Sequence, residues 1–373
     1  MDCVKTALMK YKTLAVCFAL LSIYKYGGIT MKRTKYIFAA AVLMAGSLSA
    51  CGAGKSGNES EKDKLKIVTT IFPEYDWVMN ILGENKTGAE VTMLLDKGVD
   101  MHSYQISAQD IMKISSCDMF IYVGGESDEW VEDALKEAKN KDMIVIDLLE
   151  ELGDKVKEEE VKEGMQEEDE HDHDHDHEAG SDHDHEDDHD HEEETEYDEH
   201  VWLSVKNAGF LTQRISEKLQ KMDEKNAEKY KANTKAYVEK LEALDSKYSE
   251  AVSGAKTKTL LFGDRFPFRY LTDDYGLDYY AAFAGCSAET EASFETITFL
   301  AGKTDELSLP VVMTIEGTDH RIAETIINNT EKKDQKILTM DSMQSVTSKD
   351  VKGGVTYLSV MEKNLEVLKE ALN

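Results

Sequence analysis

Metal-binding chemistry is offered by this chain in two different settings. The first is an acidic tract in which histidine alternates with aspartate: His171, His173, His175 and His177, then His183 and His185, then His189 and His191. Eight of the eleven histidines fall within these 21 residues. Imidazole suits borderline cations such as zinc, and clustered histidines bind them by composition alone. Only Ala179 adds an apolar side chain, so little there offsets the entropy of ordering. The expectation is a flexible loop that binds metal weakly. A plain solvated linker is the bland alternative, and strict Asp-His alternation argues against it.

The second setting is three isolated histidines, each beside a carboxylate: Asp100-Met101-His102, Asp198-Glu199-His200 and Asp319-His320. A carboxylate can accept the N–H of the ring nitrogen that faces away from a metal and so fix the tautomer. Residues this far apart in the chain meet only through the fold. Spacing alone leaves open one shared site or three unrelated surface histidines. Beyond Cys51 the only cysteines are Cys117 and Cys286. Two thiols do not make a disulfide framework, and they read as small buried residues rather than ligands, with a bridge between them left open.

The elements that would position these groups follow from periodicity. Short β-branched or apolar runs at 65–71, 91–95, 119–123 and 143–147 alternate with helical patterns such as 107–114 and 129–138. The logic repeats with strands at 259–262, 279–283, 311–315 and 337–340 and helices at 293–307, 321–329 and 357–372. Alternation of this kind gives parallel sheets flanked by helices, and two rounds of it give an α/β protein of two lobes. Between the rounds, residues 223–253 carry Tyr230, Tyr237, Leu241, Leu244 and Tyr248 on one helical face, without Pro or Gly. A helix that long spans roughly 45 Å, which suits a rigid link between lobes.

The front of the chain reads as a targeting region, residues 1–50. Met31-Lys32-Arg33-Thr34-Lys35 supplies a basic start and 36–48 an apolar stretch too short to span a bilayer comfortably. Met31 therefore reads as the start of a complete signal. Leu48-Ser49-Ala50-Cys51-Gly52 resembles a bacterial lipobox, which implies lipid on Cys51, and residues 51–64 form a tether. An N-terminal lobe at 65–222, with its acidic loop at about 157–196, and a C-terminal lobe at 254–373 complete the expected organisation. The formal charge of −31 is local: residues 158–200 carry −23, leaving −8 for the other 330. That balance argues against nucleic acid as a partner.

Five segments in order, 66–73 (KIVTTIFP), 98–104 (GVDMHSY), Gly124-Gly125, 198–204 (DEHVWLS) and Tyr275-Gly276-Leu277, carry a family resemblance. Together they resemble the solute-binding lipoproteins of ABC importers for zinc and manganese, in the zinc branch with a histidine-rich loop. The resemblance implies a metal held in the cleft between lobes, with His102 and His200 as first and second ligands and His320 as the fourth. At the third position stands Arg265, which has no lone pair to give. Its neighbour Asp264 is the expected replacement, with water, Glu289 or Glu291 as other oxygen sources. Met101 and Glu199 stand where relatives have Pro, and are expected to alter turn rigidity more than chemistry.

Three imidazoles and one carboxylate suit tetrahedral Zn²⁺, while Mn²⁺ prefers more oxygen and is possible but disfavoured. The expected function is a lipid-anchored, extracytoplasmic and monomeric zinc-binding protein that hands Zn²⁺ to an ABC permease and its ATPase. It is not expected to be an enzyme. The alternatives are a manganese-specific relative, a lipid-anchored zinc hydrolase with an open His₃ site, and a surface adhesin. No His-Glu-x-x-His helix supports the hydrolase.

Overall fold

A computed structural model describes residues 64–166, 196–287 and 291–373. Cys51, the alternating histidines 171–191 and Glu289 lie outside the described residues.

The first half runs β1 (Leu65–Thr69), α1 (Phe72–Leu82), β2 (Ala89–Met93), α2 (Ala108–Ser115), β3 (Met119–Tyr122), α3 (Trp130–Lys136), β4 (Ile144–Asp147) and α4 (Leu148–Leu152). Its strands form one sheet in the order β2-β1-β3-β4, with every pair parallel. Two helices follow, α5 (Val205–Met222) and α6 (Ala227–Ser253). The second half is β5 (Thr259–Arg265), α7 (Arg269–Tyr275), β6 (Asp278–Phe283), α8 (Phe294–Glu306), β7 (Val311–Ile315), α9 (Arg321–Asn329), β8 (Lys336–Met340), α10 (Ser348–Lys352) and α11 (Tyr357–Ala371). Its sheet is again fully parallel, in the order β6-β5-β7-β8. The two-lobed α/β architecture expected from the sequence is present. Helices cover both faces, so the central strands are near-continuous apolar runs: all five residues of β7 are buried.

Two helices escaped the periodicity reading for a physical reason. The buried face of α1 includes Glu74 and Asp76, which mask the apolar stripe. Glu74 closes the β1–α1 turn by accepting from the N–H groups of Thr70 (2.8 Å) and Ile71 (3.3 Å). Asp76 accepts from Tyr237 and from the backbone of Tyr357. Similarly, α5 buries Asn207, Thr212 and Ser216 among its apolar residues.

The 27 residues of α6 span about 40 Å. Its tyrosine and leucine face is buried as expected, against α1 and α5 of the first half and α7 and α11 of the second. One apolar cluster runs without a break from the first sheet through α5 and α6 to the second sheet. A smaller cluster, including Leu261, Leu300, Val312 and Ile326, fills the other face of that sheet. The C-terminal helix strengthens the join: Tyr357 meets Trp77 edge-on at 5.6 Å and donates to the Trp202 carbonyl at 2.7 Å.

Candidate metal centre

In open parallel sheets the loops at the carboxyl ends of the strands, where the strand order reverses, form the ligand crevice. Here both sheets contribute such loops to one place. His102 follows β2, Ser127 follows β3, Asp264 and Arg265 end β5, Cys286 follows β6, His320 follows β7 and Gln344 follows β8.

His102 sits in a single 3₁₀ turn, 101–103, above the buried Met101. Asp100 caps that turn by accepting from the His102 N–H at 3.0 Å. The ring Nδ1 lies 2.8 Å from the Ser127 hydroxyl. Ser127 is itself held by its N–H donating to Glu199 Oε1 at 2.8 Å. The other Glu199 oxygen has no hydrogen-bond partner and lies 3.6 Å from His102 Nδ1. A side chain on Gly125 would meet Glu199 Oε1 at 2.4 Å, and the residue adopts φ +81°, so this turn needs its glycine. Glu199 thus stands beside the His102 ring as well as holding the Ser127 turn.

His200 is fully buried. A single Asp198 oxygen accepts from its backbone N–H at 2.8 Å and faces its Nδ1 at 3.1 Å. A carboxylate accepts, so Nδ1 is the donor in this contact and Nε2 is the ring nitrogen left facing His102. The turn is pinned from three sides. Tyr270 donates to the Asp198 carbonyl, Trp202 to the Ser342 carbonyl, and Tyr357 to the Trp202 carbonyl.

The two rings present their Nε2 atoms to each other at 3.2 Å. Nitrogens each about 2.0–2.1 Å from one tetrahedral zinc stand roughly 3.3 Å apart. The pair is therefore spaced as two ligands of one ion. Burial, and then the nearness of His200, push the His102 imidazole down to about 3, against the pull of Asp100. Its ring is neutral at ordinary pH, the form that donates to metals.

Among the described residues, one set of three or more metal-donor side chains brings its ligand atoms within 4.8 Å of one another: His102, His200 and Cys286. Burial, then the charge of Glu159, push the Cys286 thiol up. Sequence reasoning read this cysteine as a small buried residue. Its only sequence signal was its place in a loop following a strand. Cys117 is also a free thiol, buried against Met143 at 3.3 Å, so the two cysteines are not bridged.

The remaining expected ligands are placed differently. Asp264 already uses both oxygens: Oδ1 accepts from the Arg265 N–H (2.9 Å), and Oδ2 from the Ile315 N–H (3.2 Å) and the Thr318 hydroxyl (2.9 Å). It holds the turn after β7 and is not a member of the His102–His200–Cys286 set. Arg265 pairs with Asp100 at 2.6 Å. His320 takes φ 59° at the start of α9 and leaves a buried Nδ1 without a partner. It lines a cavity of about 460 Å³ with Asp100, His102, Asp264, Arg265 and Thr318. A second cavity of about 250 Å³ also borders His102, walled by Ser127, Glu159, Glu196, Glu199 and Cys286. Glu291 is exposed. Gln344 escaped the sequence reading: its amide nitrogen lies 3.3 Å from His200 Nε2, and turned over it reaches Asp100 at 2.8 Å.

Comparison with known proteins places this geometry in a family. Residues 67–371 match the family model of the zinc-uptake complex component A, periplasmic. The chain belongs to this family. It is 31% identical over 329 residues to the zinc-binding lipoprotein AdcA of Streptococcus pneumoniae, covering 88% of this chain and 60% of AdcA. It is 27% identical over 339 residues to the high-affinity zinc uptake system protein ZnuA of Bacillus subtilis, covering 90% of this chain and 96% of that protein. The chain thus spans about three-fifths of the length of AdcA. Among solved structures it is similar to the Zn(II)-bound ZnuA-like domain of S. pneumoniae AdcA, with a TM-score of 0.62, 28% identity, and coverage of 83% of this chain and 99% of that domain.

Proposed function

We propose that this chain is the extracytoplasmic zinc-binding component of an ABC-type importer, capturing Zn²⁺ between its two sheets and delivering it to a membrane permease and its ATPase. The observation that carries the reading is the 3.2 Å approach of His102 and His200, brought together from different loops with both Nδ1 atoms already engaged. That arrangement leaves two ring nitrogens pointing at one spot, the donor type and spacing zinc takes. The names of the relatives, zinc-binding lipoprotein and zinc uptake protein, support zinc as the cargo.

His320 joins from the opposite wall of the larger cavity, with its unpartnered Nδ1 as the donor. Asp264 acts through it, fixing the turn that carries it. The chain works as a binding protein rather than a hydrolase, since transport requires capture and release without turnover. Lipid on Cys51 anchors it at the outer face of the membrane. Among the described residues no helix is long and apolar enough to cross a membrane. The histidine-rich tract collects zinc weakly and does not set the selectivity of the capture site.

Calorimetric titration with Zn²⁺ tests the reading. A tight site lost in both His102→Ala and His200→Ala supports it. Tight binding unaffected by either substitution defeats it.

A further inference from the structure

We propose that Cys286 is a direct ligand of the captured ion, so that the centre is a cysteine–histidine site rather than a purely nitrogen and oxygen one. This rests on the reading of His102 and His200 as zinc ligands. Four observations point to the sulfur.

The first is convergence: the Cys286 Sγ, with one ring nitrogen from each histidine, makes the set whose members lie within 4.8 Å of one another. The second is a loop built for close approach. Gly285 lies against the His200 ring so tightly that a Cβ there would meet the ring's Cε1 and Nδ1, both at 3.2 Å, and the Phe266 carbonyl at 2.9 Å. A side chain at that position would push the β6 loop, and the thiol with it, away from the histidines. The third is a fixed backbone, since the Cys286 N–H donates to Glu159 Oε1 at 2.9 Å.

The fourth concerns the two β5 residues nearest the site. Arg265 has no lone pair and is paired with Asp100, and Asp264 accepts from Arg265, Ile315 and Thr318 and is not among the donors that converge with the histidines. The third donor therefore comes from the neighbouring strand. On binding, the sulfur–metal bond forms as the S–H proton leaves, and one proton is released per ion. A thiolate is a soft ligand that favours zinc and disfavours manganese.

Cobalt reports the bond directly, because thiolate coordination gives a charge-transfer band in the near ultraviolet that imidazole and carboxylate do not. The full chain under reducing conditions would receive less than one equivalent of Co²⁺, alongside Cys286→Ser, Cys117→Ser and His200→Ala. The expected result is a band in the wild type and in Cys117→Ser, its loss in Cys286→Ser, and zinc affinity at least tenfold weaker in Cys286→Ser. Tight cobalt binding without the band, or a band that survives Cys286→Ser, overturns the thiolate ligand while leaving the histidine pair standing. Cobalt binding that His200→Ala leaves unchanged overturns the histidine reading and the proposal with it. A second measurement needs no variant: alkylation of Cys286 in the wild type, read by peptide mass, should be blocked by one equivalent of Zn²⁺. Undiminished labelling of the zinc-loaded protein contradicts the proposal.

Discussion

At the residue scale, the centre is a pair of imidazoles whose outward nitrogens are already engaged. The Asp198 oxygen that faces His200 Nδ1 also accepts the His200 backbone N–H, so one carboxylate sets both the tautomer and the turn. Removing such a support while keeping the ligand costs about 10- to 100-fold in metal affinity. Asp198→Asn should therefore weaken zinc binding within that range, as measured by competition with a fluorescent chelator. His102→Ala and His200→Ala remove donors outright and should exceed it. A neighbouring carboxylate marked these two histidines in the sequence, but only the family resemblance of the segments around them singled them out as a pair. The sequence could not reveal Cys286, whose neighbours Gly285 and Ser287 carry no carboxylate or imidazole. Nor could it show Glu199 beside the ring of His102 across 97 positions, since that contact exists only once the turn after β2 and the 198–203 segment are adjacent.

At the scale of elements, the site depends on loops pinned by buried carboxylates. Asp264 holds the turn that presents His320, and both of its oxygens are spent on that task. Asp264→Ala should leave the buried Ile315 N–H unpaired, while the Thr318 hydroxyl keeps the Ile315 carbonyl as acceptor, at a cost on the order of 1–3 kcal/mol. A lowered midpoint in urea denaturation, with the cobalt–thiolate band retained, is the expected outcome.

Asp76 shows the same economy away from the site. Burial pushes its carboxyl up to about 6, despite hydrogen bonds from Tyr357, Tyr237 and Asn80. A folded-state value above the unfolded one means that the protonated form is the one favoured in the fold. The contribution of Asp76 to stability is thus fully present below about pH 4 and declines as pH rises to about 6, by on the order of 3 kcal/mol. Asp76→Asn should gain stability relative to the wild type as pH increases from 4 to 7, in paired denaturation curves. A flat difference across that interval would contradict the assignment. The strands were readable from β-branched runs because both sheets are buried on each face. The helix α1 was not, since Glu74 and Asp76 occupy its buried side.

At the scale of the molecule, two parallel sheets meet their common crevice from opposite sides while sharing one apolar cluster through α5 and α6. The Arg265–Asp100 pair crosses that crevice beside His102. A continuous core of this kind favours small adjustments of loops over a wide swing of one lobe. Two lobes and a long helix followed from the alternation of patterns and from the tyrosine stripe. The shared core and the return of α11 to the first half did not, because they depend on contacts such as Tyr357 with Trp77 that no local pattern encodes.

The histidine-rich tract, by composition, adds capacity rather than specificity. Deleting residues 167–194 should reduce the number of weakly held ions and leave one tight site. The central claim is that His102 and His200 place one zinc ion in the crevice. The most direct measurement is calorimetry of the full chain with Zn²⁺ and then Mn²⁺, repeated on His200→Ala. The structure predicts one zinc site far tighter than any manganese binding, and its loss in the variant. Tighter manganese than zinc, or a tight zinc site that persists without His200, would contradict it.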